Sequence, residues 1–110
     1  MKLRPASAMA ALLLGICATG PAWSADAAIG RQKAAACAAC HGPQGLAVAP
    51  DAPNLAGQPA EYIVEQLKAY RDGGRKHEVM SLMAKSLTDE DMGNIAAWFS
   101  SQKVQLQAVP

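Results

Sequence analysis

The sequence lacks a marked excess of either charge. Its 110 residues carry 10 Lys and Arg against 9 Asp and Glu, so the formal net charge is only +1. A nucleic-acid-binding chain would need a basic surface, and the near-neutral balance argues against that class of partner. The sequence also has no internal repeat and no stretch of strand length in which apolar and polar residues alternate. It therefore lacks the βαβ setting of a thiol redox fold, and we predict an all-α chain.

The chain is also short. At 110 residues it has room for one small domain, whose core is only marginally self-sufficient. A cofactor buried at its centre would help such a domain to fold.

The first residues differ from the rest of the sequence. Lys2 and Arg4 give a basic start, residues 8–20 form an uninterrupted small and apolar run, and the small residues that a signal peptidase reads follow, ending at Ser24. This order of basic start, apolar run and cleavage site is typical of a secretory leader. We predict a signal peptide over residues 1–24 that is cleaved from the mature protein.

The mature domain is then expected to span residues 25–110 in the periplasm, with Ala25-Asp26-Ala27 as a second possible cleavage site. Two alternatives stay open. The apolar run is too short to span a bilayer comfortably, but it could remain as an uncleaved membrane anchor. Cys17 within the run follows a loose lipobox, which would make the chain a lipoprotein.

A second feature is the pattern Cys37-Ala38-Ala39-Cys40-His41. Export would place the two thiols outside the reducing cytosol, where they must be bridged, metallated or alkylated. A local disulfide and a zinc site that recruits His77 are both conceivable, but adjacent Cys40 and His41 point in different directions and suit a tetrahedral ion badly. The pattern favours covalently attached haem c, with thioether bonds from Cys37 and Cys40 and with His41 bound to the iron.

Three helices and two loops are predicted along the rest of the chain. The helices cover residues 26–40, residues 60–72 and a final segment that Thr88 caps; the loops cover 42–57 and 73–87. A glycine such as Gly30 lowers the stability of a helix, and close approach of another helix would explain its presence there. The first loop is rich in proline and glycine, and a Pro53 carbonyl could accept from Nδ1 of His41, with Pro50 as the second choice.

The other axial position of the iron decides the function, because a filled site blocks substrate binding. Met80 and Met83 lie in the second loop, and spacing alone does not choose between them, whereas Met92 has the spacing of a core residue. His77 is a competing ligand, although its charged neighbours suggest an exposed segment. Tyr62 and Arg75 are candidates to contact the haem propionates.

Several segments of the sequence resemble those of a known protein family. The sequence resembles a class I c-type cytochrome, most closely one domain of the cytochrome c4 kind, in the following pieces: Gly30, 37–42, 53–58, 61–67 and 95–102. The resemblance implies three main helices wrapped around one haem, with the first and last crossing near Gly30 and Trp98. It also implies that Pro53 supports His41 and that Met80 is the distal ligand, ahead of Met83.

Two departures from the family pattern are visible. The family usually has two such domains in tandem, whereas this chain has one haem attachment pattern, and Trp98 stands where a tyrosine is common.

The resulting prediction is a soluble periplasmic monohaem electron carrier, not an enzyme, which moves single electrons between respiratory redox proteins and touches membranes only transiently. The near-neutral charge predicts modest electrostatic steering by its basic residues, which are Lys33, Lys68, Arg71, Arg75 and Lys76. The main alternative is a haem c subunit bound tightly to a periplasmic dehydrogenase or similar complex. A haem enzyme or gas sensor with an open distal site is a third hypothesis.

Overall fold

The computed structural model describes residues 1–3 and 24–110, so most of the predicted signal peptide, including Cys17, lies outside the described residues. The elements in order are α1 (Ala27–Lys33), a 3₁₀ turn (Ala34–Cys37), α2 (Ala38–His41), α3 (Ala60–Asp72), α4 (Glu78–Lys85) and α5 (Asp89–Ser100). Within the described ranges the regular structure is entirely helical, which confirms the all-α prediction. None of the helices described is long and apolar enough to cross a bilayer.

The first predicted helix is divided into three pieces. Asp26 begins α1, because its carboxylate accepts hydrogen bonds from the backbone N–H groups of Ala28 and Ile29 at 2.7 and 3.0 Å. The chain then tightens into the 3₁₀ turn before α2 carries it to His41. The sequence contains no glycine or proline at this transition, so nothing local marks the change in winding.

The crossing of α1 and α5 depends on Gly30. A Cβ atom at this position would lie 1.8 Å from the backbone oxygen of Asn94 and 3.1 Å from Cβ of Trp98. The Asn94 side chain also accepts a 2.8 Å hydrogen bond from the backbone N–H of Asp26. The predicted contact of the first and last helices near Gly30 and Trp98 is confirmed.

The apolar core lies between these helices and α3. Phe99 and Met92 are fully buried, and Ile63 of α3 packs in the same cluster as Ile95. Met92 therefore fills the core, as its spacing predicted.

The prediction of a loop over residues 73–87 is wrong, because residues 78–85 form α4. Gly73 ends α3 in the left-handed conformation with φ 87°, as the sequence predicted. After a short connection, His77 caps the new helix with its side chain. Histidine is not among the residues that usually cap helices, and for that reason the sequence pattern did not reveal α4.

The start of α5 was predicted correctly. Thr88 accepts from the N–H of Asp91, and the Asp91 carboxylate accepts from the N–H of Thr88, each at 3.1 Å. This reciprocal capping box satisfies two N–H groups that the helix itself leaves without partners.

Candidate functional site

The site is centred on His41, the last residue of α2. Its side chain is only 7% exposed, and its Nδ1–H donates to the Pro53 carbonyl oxygen at 2.9 Å. A carbonyl can only accept, so the hydrogen of the neutral ring lies on Nδ1 and the lone pair lies on Nε2. The contact expected from the sequence is present, with Pro53 rather than Pro50, and it prepares His41 as a metal ligand.

The two cysteines stand on the same short segment. Cys37 is partly buried and Cys40 is exposed, and neither sulfur is in a disulfide. Burial raises the pKa of the Cys37 thiol, whereas a redox-active thiol requires a lowered pKa. No group of three His, Cys, Asp or Glu side chains that could hold a metal ion occurs within residues 24–110. The disulfide and zinc alternatives therefore find no support here.

These residues fit a covalently attached haem. Two unbridged thiols, one helical turn apart, lie beside an imidazole whose Nε2 is free of hydrogen bonds to the described part of the chain. The thiols provide the sulfur atoms for two thioether bonds, and Nε2 provides a neutral nitrogen ligand of fixed orientation.

The loop after His41 is folded back on the site by main-chain hydrogen bonds. The N–H groups of Val48 and Ala49 donate to the Cys40 carbonyl at 2.9 and 3.1 Å, and two further N–H groups, of residues 55 and 56, donate to the Gly45 carbonyl at 2.7 and 3.0 Å. Gly45 has φ 87°, and a Cβ atom there would lie 2.5 Å from the backbone nitrogen of Ala56. Glycine is therefore required where the two arms of the loop meet.

Side chains add two further links to this loop. Asn54 Oδ1 accepts from the N–H of Ala47 at 2.7 Å, and Trp98 Nε1 donates to the carbonyl oxygen of Pro43 at 3.0 Å. The Asn54 hydrogen bond joins Ala47, in the first half of the loop, to the residue directly after Pro53. The Trp98 bond anchors the beginning of the loop to α5.

We expect Asn54→Ala to loosen the support of His41. Loss of this bond should lower the free energy of unfolding by about 1 kcal/mol and speed exchange of the His41 Nδ1 proton, measured by urea titration and NMR. Gln44→Ala is the matched control, since Gln44 is exposed in the same loop and makes no side-chain hydrogen bond within the described residues. Equal effects in the two variants would contradict a specific role for Asn54.

The two candidate methionine ligands both lie on α4. Met80 is in the first turn and is partly buried, whereas Met83 comes one turn later and is 39% exposed. The backbone N–H of Met80 donates to Nδ1 of His77 at 3.3 Å. Met80 is thus the more enclosed of the two, and its assignment as distal ligand stays a prediction.

His77 has a role that the sequence did not suggest. The backbone N–H of Val79 also donates to Nδ1 of His77, at 3.2 Å. The backbone N–H of His77 donates to Oγ of Ser81 at 3.1 Å. The ring meets that of Tyr70 edge-on, with centroids 6.4 Å apart. His77 is therefore neither merely solvated nor free to offer Nδ1 to a metal.

The candidate propionate contacts are Tyr62, near the start of α3, and Arg75, three residues beyond the end of α3. Tyr62 is 46% exposed in the first turn. Arg75 donates to Oε1 of Gln66 at 2.7 Å, and its guanidinium lies 4.7 Å from the centre of the Tyr70 ring. Arg75 is thus partly held by α3 itself, and both propionate roles stay predictions.

Most of the basic residues that were expected to steer redox partners form ion pairs within the protein. Three ion pairs join α1 and α3 to the first turn of α5: Lys33 to Asp91 at 2.8 Å, Lys68 to Asp89 at 3.1 Å and Arg71 to Asp89 at 2.7 Å. The hydrogen bond from Arg71 lowers the pKa of the Asp89 carboxyl, and that from Lys33 lowers the pKa of Asp91. These are largely exposed ion pairs, so each contributes little to stability. The neighbouring carboxylates offset the positive charge that these three cations could present to a partner.

Comparisons with known proteins agree with this geometry. The family model described as Cytochrome c matches residues 27–103. The chain is 51% identical over 81 residues to cytochrome c-554(548) of Halomonas halodenitrificans, a match that covers 71% of this chain and 98% of the relative. It is 43% identical over 99 residues to cytochrome c4 of Pseudomonas aeruginosa, covering 89% of this chain but only 49% of the relative.

Solved structures show the same likeness. The crystal structure of reduced recombinant cytochrome c4 from Pseudomonas stutzeri superposes with a TM-score of 0.68 at 43% identity, covering 73% of this chain and 47% of the other. The chain therefore spans nearly the whole of cytochrome c-554(548) and about half the length of the cytochrome c4 relatives.

Proposed function

The chain belongs to the cytochrome c family, and from this premise we propose that it is a periplasmic monohaem carrier of single electrons between respiratory redox proteins. Haem c, attached through Cys37 and Cys40, supplies an iron that exchanges one electron between ferric and ferrous states. The observation that carries the proposal is the buried His41 ring, held by Pro53 with Nε2 left as the ligand atom.

The residues of the site favour electron transfer over chemistry on a substrate. Pro53 and the folded loop fix the His41 ring in one orientation, and Met80 of α4 would supply the second protein ligand to the iron. If His41 and Met80 both bound the iron, no coordination site would be left for a substrate. Ligands that stay in place through the redox cycle keep structural change between the two states small.

The contacts of Asp26 bear on where the predicted leader would be cut. We place cleavage after Ser24, giving a mature domain of residues 25–110. Asp26 caps α1 and its N–H binds the Asn94 side chain. Cleavage at the second possible site, after Ala27, would remove both interactions.

The second candidate function is a haem c subunit bound to a periplasmic oxidoreductase. The observation that favours it is a set of relatives named thiosulfate dehydrogenase electron acceptor, such as that of Stutzerimonas stutzeri, which is 41% identical over 68 residues and covers 59% of this chain and 32% of the relative. Purification distinguishes the two candidates. A free carrier elutes alone from its native host, whereas a bound subunit elutes with its enzyme.

The visible spectrum of the purified protein tests the proposed function. After export with competent maturation machinery, the haem should stay with the polypeptide through acid-acetone extraction, because thioether bonds survive it. The Cys37→Ser, Cys40→Ser double variant should release any haem under the same treatment. A wild-type protein that carries no haem under these conditions would rule out the function.

A further inference from the structure

The cap of α4 is bonded to the residue that we propose as the distal ligand. His77 has extended backbone angles, φ −155° and ψ 135°, which direct its ring over the first turn of the helix. Its Nδ1 accepts from the N–H groups of Val79 and Met80. The same lone pair therefore fixes the start of the helix and the backbone of Met80.

This end of α4 depends on the cap more than the other end does. The first N–H groups of a helix have no partner within it, and an eight-residue helix is too short to be stable by itself. Ala84, near the far end, is completely buried, so tertiary packing holds that end. Met80, in the first turn, lies in the part that frays when the cap is lost.

The ring of His77 is itself held in place. It lies edge-on against Tyr70 of α3, and its backbone N–H donates to the hydroxyl of Ser81. Because Nδ1 accepts two hydrogen bonds, the hydrogen of the neutral ring lies on Nε2, and neither nitrogen then offers a free lone pair to iron. This hydrogen-bond geometry therefore argues against His77 as a competing ligand of the iron.

We propose that His77 is a positioning residue for the sixth ligand: by capping α4 it holds the Met80 backbone where the thioether can reach the iron. This inference rests on the proposed function, since it takes Met80 as the ligand. Neither nitrogen of His77 binds the metal, and its contribution acts through the backbone of α4.

The test uses the ferric holoprotein and imidazole as a competing ligand for the iron. An external ligand must displace the methionine, so its affinity rises when Met80 is held less firmly. His77→Ala should raise the imidazole association constant about fivefold, the factor that corresponds to loss of one helix cap. His77→Asn keeps a capping oxygen and should stay within about twofold of wild type.

Thr88→Ala is the matched control, because it removes the side-chain cap of α5, which carries no candidate ligand. It should lower the free energy of unfolding about as much as His77→Ala does, yet leave imidazole affinity unchanged. Equal imidazole affinity in wild type and His77→Ala, or an equal rise in Thr88→Ala, would overturn the proposal. So would failure of His77→Asn to restore wild-type affinity.

The visible spectrum separates failure of the positioning role from failure of the proposed function, which would show as a wild-type protein without haem. If wild type has the weak ferric band that marks a bound methionine and His77→Ala leaves affinity unchanged, only the positioning role is wrong. If wild type carries haem but lacks this band, methionine ligation fails and the positioning role fails with it.

Discussion

The Met80→Ala variant should lose the weak band at the red end of the ferric spectrum while keeping its haem. The thioethers of Cys37 and Cys40 and the nitrogen of His41 are untouched by this change, but alanine has no atom that can bind the sixth position. The opened position should bind imidazole or cyanide without displacing a protein ligand. The midpoint potential should fall, because a sulfur ligand favours the ferrous state. Visible absorption and a redox titration measure both effects.

Two other methionines serve as controls. Met83→Ala should keep the band, since Met83 is the more exposed of the two methionines of α4. Met92→Ala should also keep it, but should lower the free energy of unfolding by about 2–5 kcal/mol, because Met92 is fully buried in the core. A band that disappears in Met83→Ala and persists in Met80→Ala would transfer the ligand role to Met83.

The Gly30→Ala variant should lose much of its stability. Its Cβ would lie 1.8 Å from the backbone oxygen of Asn94, and a backbone atom inside a helix has little room to yield. The α1 and α5 helices must therefore separate, which also strains the bond between Asp26 and Asn94. We expect the free energy of unfolding to fall by about 3 kcal/mol, measured by urea denaturation of the holoprotein.

Gly93 provides the control for the same substitution. It lies inside α5, where an added Cβ would meet only Cβ of Ala25, at 3.9 Å. Gly93→Ala should therefore raise the free energy of unfolding by about 0.5–1 kcal/mol through helix propensity alone. Similar losses in both variants would show that contact with Asn94 is not the cause of the Gly30 effect.

Features that depend on local chemistry could be predicted from the sequence. The spacing of Cys37, Cys40 and His41 identifies a covalent chemistry, and Thr88 followed by three carboxylates identifies a helix start. Gly30 was informative because glycine in a helix needs a reason, and the structure supplies one in the Asn94 backbone.

Features that depend on unusual or distant partners could not be predicted from the sequence. No pattern marks His77 as a helix cap, so α4 was predicted as a loop. The ion pairs of Lys33 and Arg71 join residues far apart in sequence, and cations that seemed available for partners are instead occupied. The choice between Met80 and Met83 depends on how α4 approaches the iron, and residue spacing contains no information on that approach.

The packing of α1 on α5 also bears on how the protein matures. The bond from Asp26 to Asn94 and the close approach at Gly30 join segments from opposite ends of the domain. A polypeptide that emerges with its amino end first cannot close this fold until α5 has followed. Cys37, partly buried once the fold is closed, is thus accessible throughout that interval. The position of the last helix therefore sets how long the Cys37 sulfur stays accessible for haem attachment before the fold covers it.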